Sequence, residues 1–119
     1  MSKTRRDLDF LRDILDAVEH ILDYTVGLTW DGFLHDRKTQ DAVVRNLEVL
    51  GEATKNLSDG FRARYPDVPW RELSGTRDNL IHHYFGINQE VVWQIVQQDL
   101  PELGSQIAQI ILEFPAGDI

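Results

Sequence analysis

The stretch Asp7-Leu-Asp-Phe-Leu-Arg-Asp-Ile-Leu-Asp-Ala-Val-Glu-His-Ile-Leu-Asp-Tyr-Thr25 decides the fold class. It holds no proline or glycine. Phe10, Ile14, Ala17, Val18, Ile21 and Thr25 recur at the three- and four-residue spacing that places side chains on one side of an α-helix. Leu11, Leu15 and Leu22 widen the stripe beyond a single edge, so this helix is expected to be buried on more than one side, from about Thr4 to Val26. Gly27 is the expected stop signal.

Working outward, Thr29-Trp-Asp-Gly-Phe-Leu reads as a short turn, and a second long helix is expected from about Asp36 to Leu57. Val43, Leu47, Leu50, Thr54 and Leu57 mark its core face. Ser58 is placed to cap a short helix through Arg64 by accepting from a free backbone N–H. Pro66 disfavours helix at Tyr65, and Pro69 suits the first turn of the next helix. That helix is expected through Leu73, with a bend near Ser74-Gly75, and on to His83, with Gly86 ending it. Asn88 caps a final helix from Gln89, which Pro101 is expected to interrupt or kink before Ile107, Ile110, Ile111 and Phe114. The sequence has no strand-like alternation and no repeats. The fold class is therefore all-α: a bundle of about five helices with antiparallel long helices, in one domain over residues 1–119 with its core at about 7–112.

The 119 residues contain no cysteine, which excludes disulfides and thiolate metal sites and fits a reducing cytoplasm. No apolar run approaches the ~20 residues of a membrane helix, so no membrane association is expected. A net charge of −8 argues against a general nucleic-acid coat, which needs local positive charge. The distribution matters more than the sum. Residues 61–84 carry four arginines against Asp67, Glu72 and Asp78, and no Lys or Arg follows Arg77. A small local RNA site is allowed; a long basic groove is not.

Arg77-Asp-Asn-Leu-Ile-His82-His83-Tyr84 places a permanent cation, two imidazoles and a phenol within eight residues. These suit metal-independent RNA cleavage. An imidazole takes the proton of a ribose 2′-OH, the oxygen attacks the adjacent phosphorus, and a guanidinium stabilises the added charge. On an ideal helix, with ~100° per residue, Arg77 and His82 lie about 140° apart and do not converge. Asp78 and His82 share a face at i, i+4, so Asp78 is placed to orient the imidazole. Arg77 must reach round, or the helix must end irregularly, or a second subunit must complete the site. On pattern alone the same residues also fit structural roles: an ion-pair arginine, an interhelical His82, a helix-end His83 and a core-edge Tyr84. The His pair lacks further ligands at usable spacing, so no metal or other cofactor is expected. Trp30, Trp70 and Trp93 read as packing anchors rather than base-stacking platforms, Arg45, Asn46 and Glu48 as salt-link residues of a helix, and His20 and His35 as isolated.

The spacing Arg-x-x-x-x-His-x-Tyr, late in a small helical chain, resembles the signature of HEPN-domain toxins of the HepT type. Asp41-Ala-Val-Val-Arg-Asn-Leu-Glu-Val-Leu-Gly-Glu-Ala, Ala63-Arg-Tyr-Pro-Asp-Val-Pro-Trp and Ile81-His-His-Tyr-Phe-Gly-Ile are also similar to that family. The resemblance covers roughly Asp7 to Leu112. It implies a HEPN-like homodimer whose motifs face one another across a cleft, with Arg77 and His82 as the catalytic residues of a toxin ribonuclease and Asp78 and His83 in support. It implies a cognate MNT-type nucleotidyltransferase antitoxin that transfers AMP to Tyr84. His83 stands where the family pattern has Gly, and chemistry, stacking on RNA and space filling all remain open for it. The alternative is a non-catalytic HEPN subunit that binds nucleotide or presents Tyr84 to a partner enzyme; a purely structural helical dimer is a third reading.

Overall fold

The computed structural model describes residues 6–76 and 87–114. Helix α1 spans Asp7–Thr25. Asp7 and Asp9 lie in its first turn, where their charge suits the helix dipole, and the Asp9 carboxylate accepts from the Arg6 backbone N–H at 3.1 Å. Leu8, Leu11, Ile14, Ala17, Val18 and Ile21 are buried, and Phe10, Leu15 and Leu22 pack half-buried beside them, as the wide apolar stripe requires. Val26 caps the helix, and Gly27 turns the chain at φ +77°, a conformation that costs a Cβ-free residue little.

The next segment departs from expectation. Thr29-Trp-Asp-Gly-Phe-Leu is not a simple turn but an N-cap followed by helix α2, Trp30–Leu34. The Thr29 hydroxyl accepts from the Gly32 N–H at 3.1 Å. The physical reason lies in Phe33: one helical turn drives its ring into the core, where it meets Trp93 at 5.0 Å between centroids.

Helix α3 is Arg37–Lys55, with Asp36 as its cap. The Asp36 carboxylate accepts from the Thr39 hydroxyl at 2.7 Å and the Thr39 N–H at 3.0 Å. These bonds, the hydroxyl's first, hold its pKa below the usual carboxylate value against the opposing effect of burial, with a further lowering from Lys38. Val43, Leu47, Leu50 and Thr54 are buried as read, and Leu57 just beyond the helix as well. The buried Thr54 hydroxyl donates to the Leu50 carbonyl at 2.8 Å, so no polar group is orphaned there.

Ser58 does double duty. Its hydroxyl accepts from the Phe61 N–H at 3.2 Å, capping α4, Asp59–Arg64. Its own hydroxyl and backbone N–H donate to the two carboxylate oxygens of Asp7, each at 2.8 Å. That clasp holds the start of α1 to the end of α3, so the two long helices are antiparallel. Helix α5, Trp70–Ser74, follows Pro69, which sits at the cap rather than inside the first turn. Trp70 packs on Phe61 and donates from Nε1 to the Tyr65 carbonyl at 2.9 Å.

The last helix begins at Asn88, as expected: α6 is Gln89–Gln94. The α-helix is interrupted just before Pro101, as expected, but it does not end there. A π-helical turn, Ile95–Asp99, joins α6 to α7, Leu100–Glu113, without a loop. The Leu100 N–H reaches the Ile95 carbonyl five residues back. The wider turn keeps the rod continuous just where proline lacks an N–H and its ring crowds the preceding turn. Trp93 meets Phe33 at one end of the bundle and Phe114 meets Phe61 at the other, 5.8 Å between centroids. The rod therefore runs antiparallel to α1 and parallel to α3. Among the described residues all regular structure is helical, and α1, α3 and the rod enclose one apolar core. Trp30, Trp70 and Trp93 all serve packing.

Candidate functional site

The motif residues read from the sequence, Arg77, Asp78, His82, His83 and Tyr84, together with Gly86, lie outside the described residues. The structure fixes the chain on either side of them. Helix α5 ends at Ser74, the Gly75 N–H closes on the Arg71 carbonyl, and Thr76 is only 8 % exposed. The Thr76 hydroxyl donates to the Glu72 carbonyl at 3.1 Å. Beyond the motif, Ile87 packs partly buried against the core, and the Asn88 side chain accepts from the Glu90 and Val91 N–H groups at 3.0 and 3.3 Å. Two anchored points thus bracket the chemistry-bearing segment.

Ser74, three residues before Arg77, forms one wall of a cleft of about 450 Å³ whose other walls are α1 and α3. Phe10 and Asp13 come from α1; Arg45, Glu48, Glu52 and Lys55 come from α3. The α3 residues follow steps of three and four, so they form a polar stripe beside the core stripe of the same helix. The segment Asp41–Ala53, singled out in the sequence, therefore contributes to this cleft. Arg45 is not the salt-link residue expected from its position: it is exposed and makes no ion pair among the described residues. Asn46 faces away from that role too, donating to the Ala42 carbonyl at 2.9 Å and meeting the His20 ring nitrogen at 3.4 Å. His20 in turn stacks on Tyr24, and His35 bonds the Asp31 carbonyl at 2.9 Å.

Sequence reading missed Asp13, Glu52 and Lys55 as cleft residues. The available signal was the second stripe on α3, but nothing in a single helix says that Asp13 of α1 stands opposite. Among the described residues the cleft's side chains carry two cations, Arg45 and Lys55, against three carboxylates, Asp13, Glu48 and Glu52, a formal sum of −1. Such a surface is no polyanion track. It offers both signs of charge at once. Among the described residues no group of three His, Asp or Glu is placed to hold a metal ion, and no helix is long and apolar enough to cross a membrane.

Residues 14–110 match the family model described as Ribonuclease HepT-like. A protein of Methanocaldococcus jannaschii named as an RNase is 50% identical over 109 residues, covering 92% of this chain and 90% of its own. A protein of Thermococcus cleftensis named as a ribonuclease HepT is 42% identical over 106 residues, covering 89% and 96%. A third, named as an RNase in Caldanaerobacter subterraneus, is 39% identical over 102 residues, covering 86% and 91%. No solved structure gives a significant match.

Proposed function

The chain belongs to the HepT-like ribonuclease family, and from that premise we propose that it is the toxin of a HepT–nucleotidyltransferase pair, acting on RNA in the cytoplasm. The observation that carries this reading is the motif Arg77–Tyr84, intact within the matched residues 14–110. His82 takes the proton from a ribose 2′-OH. The oxygen attacks the adjacent phosphorus, the 5′-oxygen leaves and takes a proton from water, and Arg77 stabilises the charge on the phosphoryl oxygens. The products are a 2′,3′-cyclic phosphate and a 5′-hydroxyl. DNA lacks the nucleophile, so RNA is selected by chemistry. Asp78 orients His82, and His83 supports the site.

The active form is a homodimer with one motif from each copy at a shared cleft. Two features support this. Arg77 and His82 do not converge on one ideal helix, and the cleft beside Ser74 carries both signs of charge. In a two-fold contact each patch meets a copy of itself, so a mixed-sign face can pair cation with anion where a single-sign face would repel. The cognate MNT-type nucleotidyltransferase neutralises the toxin by moving AMP from ATP to the Tyr84 hydroxyl. The adenylate adds negative charge two residues from His82 and competes with RNA phosphate for Arg77.

The test is cleavage of a synthetic RNA by pure protein with EDTA present. His82→Ala and Arg77→Ala should each lower the rate by ~10²–10⁴-fold while thermal unfolding stays unchanged. RNA binding retained with no cleavage by the wild type would favour the non-catalytic subunit instead. Intact mass after incubation with the cognate antitoxin and ATP should rise by AMP units in wild type and not in Tyr84→Phe.

A further inference from the structure

A second concavity, of about 460 Å³, lies between α5 and the final rod, with chemistry opposite to that of the cleft. Its floor is apolar. Leu73, Ile95 and Leu103 contribute, and Val91 stands 38 % exposed to solvent at its edge. Its rim is acidic: Asp67, Glu72, Asp99 and Glu102 all line it, and all four residues are exposed. None of the four carboxylates makes an ion pair or side-chain hydrogen bond among the described residues. Among the described residues no Lys or Arg lines the groove, and the rod cannot supply one, because the chain holds no Lys or Arg after Arg77.

We infer that this groove docks a cationic amphipathic segment of a protein partner, apolar side chains on the floor and Lys or Arg against the rim. The charge decides against the other macromolecule in view. Four unpaired carboxylates around one opening repel a phosphate backbone, and the apolar floor gives it nothing to bond. A helix with apolar residues at i, i+3, i+4 and i+7 and cations on its flanks satisfies both features. From Val91 to Leu103 the rod covers about 18 Å at 1.5 Å per residue, room for roughly three turns of such a helix. Four carboxylates around one opening also cost the free protein some repulsion, which a cationic segment relieves on binding.

The groove shares no described lining residue with the cleft of α1, α3 and Ser74, and peptide docking is read without RNA cleavage, so this inference stands or falls apart from the ribonuclease reading. The probe is a fluorescein-labelled 14-residue peptide with Leu on one helical face and Lys on its flanks. Addition of the peptide to ¹⁵N-labelled wild-type protein should move amide signals within residues 67–76 and 91–106. Fluorescence anisotropy should give an affinity that falls at least tenfold in Glu72→Lys/Glu102→Lys. The exposed control Asp16→Lys/Asp23→Lys on α1, with the same change in net charge, should stay within twofold of wild type. Val91→Asp should weaken binding without any added cation. Equal losses in the two charge variants would show attraction to the overall acidic field and overturn the groove. Signal changes clustered on α1 and α3, or a single-stranded RNA that moves the groove signals in place of the peptide, would overturn it as well.

Discussion

The two faces of α3 do different work. Its inner face, Val43, Leu47, Leu50 and Thr54, is sealed against α1 and the rod, and every polar atom there has a partner on the same helix. Its outer face, Arg45, Glu48, Glu52 and Lys55, opens into the cleft that Ser74 borders. One nineteen-residue helix thus faces the core on one side and an open polar cleft on the other. The separation means that substitutions a few residues apart should act on different measurable quantities.

The largest effect belongs to the inner face. Leu47 is fully buried, and Leu47→Ala removes its contacts and leaves a cavity. The expected loss is about 2–5 kcal/mol in urea unfolding. RNA cleavage per folded molecule should be unchanged, since Leu47 does not line the cleft. A loss under 1 kcal/mol would mean that the core can collapse around the gap, and the contrast between the faces would weaken.

Arg45→Glu tests the outer face. Monomer stability should stay within about 0.5 kcal/mol, as for exposed positions without a structural partner. Self-association should weaken by about tenfold, or ~1.4 kcal/mol, because the change sets a fourth carboxylate among Asp13, Glu48 and Glu52. Sedimentation equilibrium at micromolar concentration reads this directly. An unchanged dimer would move the subunit contact away from this cleft.

This contrast also explains what the sequence made legible. Helix α3 was readable because its core stripe repeats five times at helical spacing, and Ser58 and Asn88 were readable as caps because capping depends on two or three neighbours. Helix α2 was not, because five residues give too little periodicity and the burial of Phe33 depends on Trp93, sixty residues away. Pro101 is unfavourable by local rules, yet the rod's packing at both ends holds it continuous through a π turn. The ribonuclease family was legible from four ordered segments taken together, because on residue types alone the motif also fits structural roles. The cleft bordered by Ser74 was only half legible: Arg45 and Glu48 lie in a recognisable segment, while Asp13 joins them through tertiary packing.

A paired glycine substitution sharpens the difference between packed and open surroundings. A Cβ at Gly60 meets nothing within 4 Å, and Gly60 lies in α4 without positive φ. Gly60→Ala should stabilise by about 0.4–1 kcal/mol, by restricting the unfolded chain. Gly104 in α7 gains the same backbone term. Its Cβ, however, would sit 3.1 Å from Val18 Cγ1, and Val18 is fully buried and β-branched, so it has no free rotamer to take. Overpacking of about 1–3 kcal/mol outweighs the gain, and Gly104→Ala should lower the melting temperature. Two rises would mean that α1 and α7 are packed less tightly than α1 and α3.

The smallest effect is at Asp36, where both faces of α3 begin. Its carboxylate bonds the Thr39 hydroxyl and N–H, and those bonds favour the charged form. A pKa lowered in the folded state stabilises the fold above the unfolded value, near 3.8, and that contribution is lost as pH falls through the lower folded value. Asp36→Asn is the clean comparison, because asparagine also caps helices but carries no charge. Wild type should be slightly more stable than the variant at pH 6, and the gap should narrow below pH 4 and close under the folded value. Urea midpoints measured across that range give the difference without interference from the other carboxylates, which both proteins share. A gap that persists at pH 2 would show that the cap acts through geometry rather than charge. A gap that widens as pH falls would reverse the sign and remove Asp36 as an acid-sensitive point of α3.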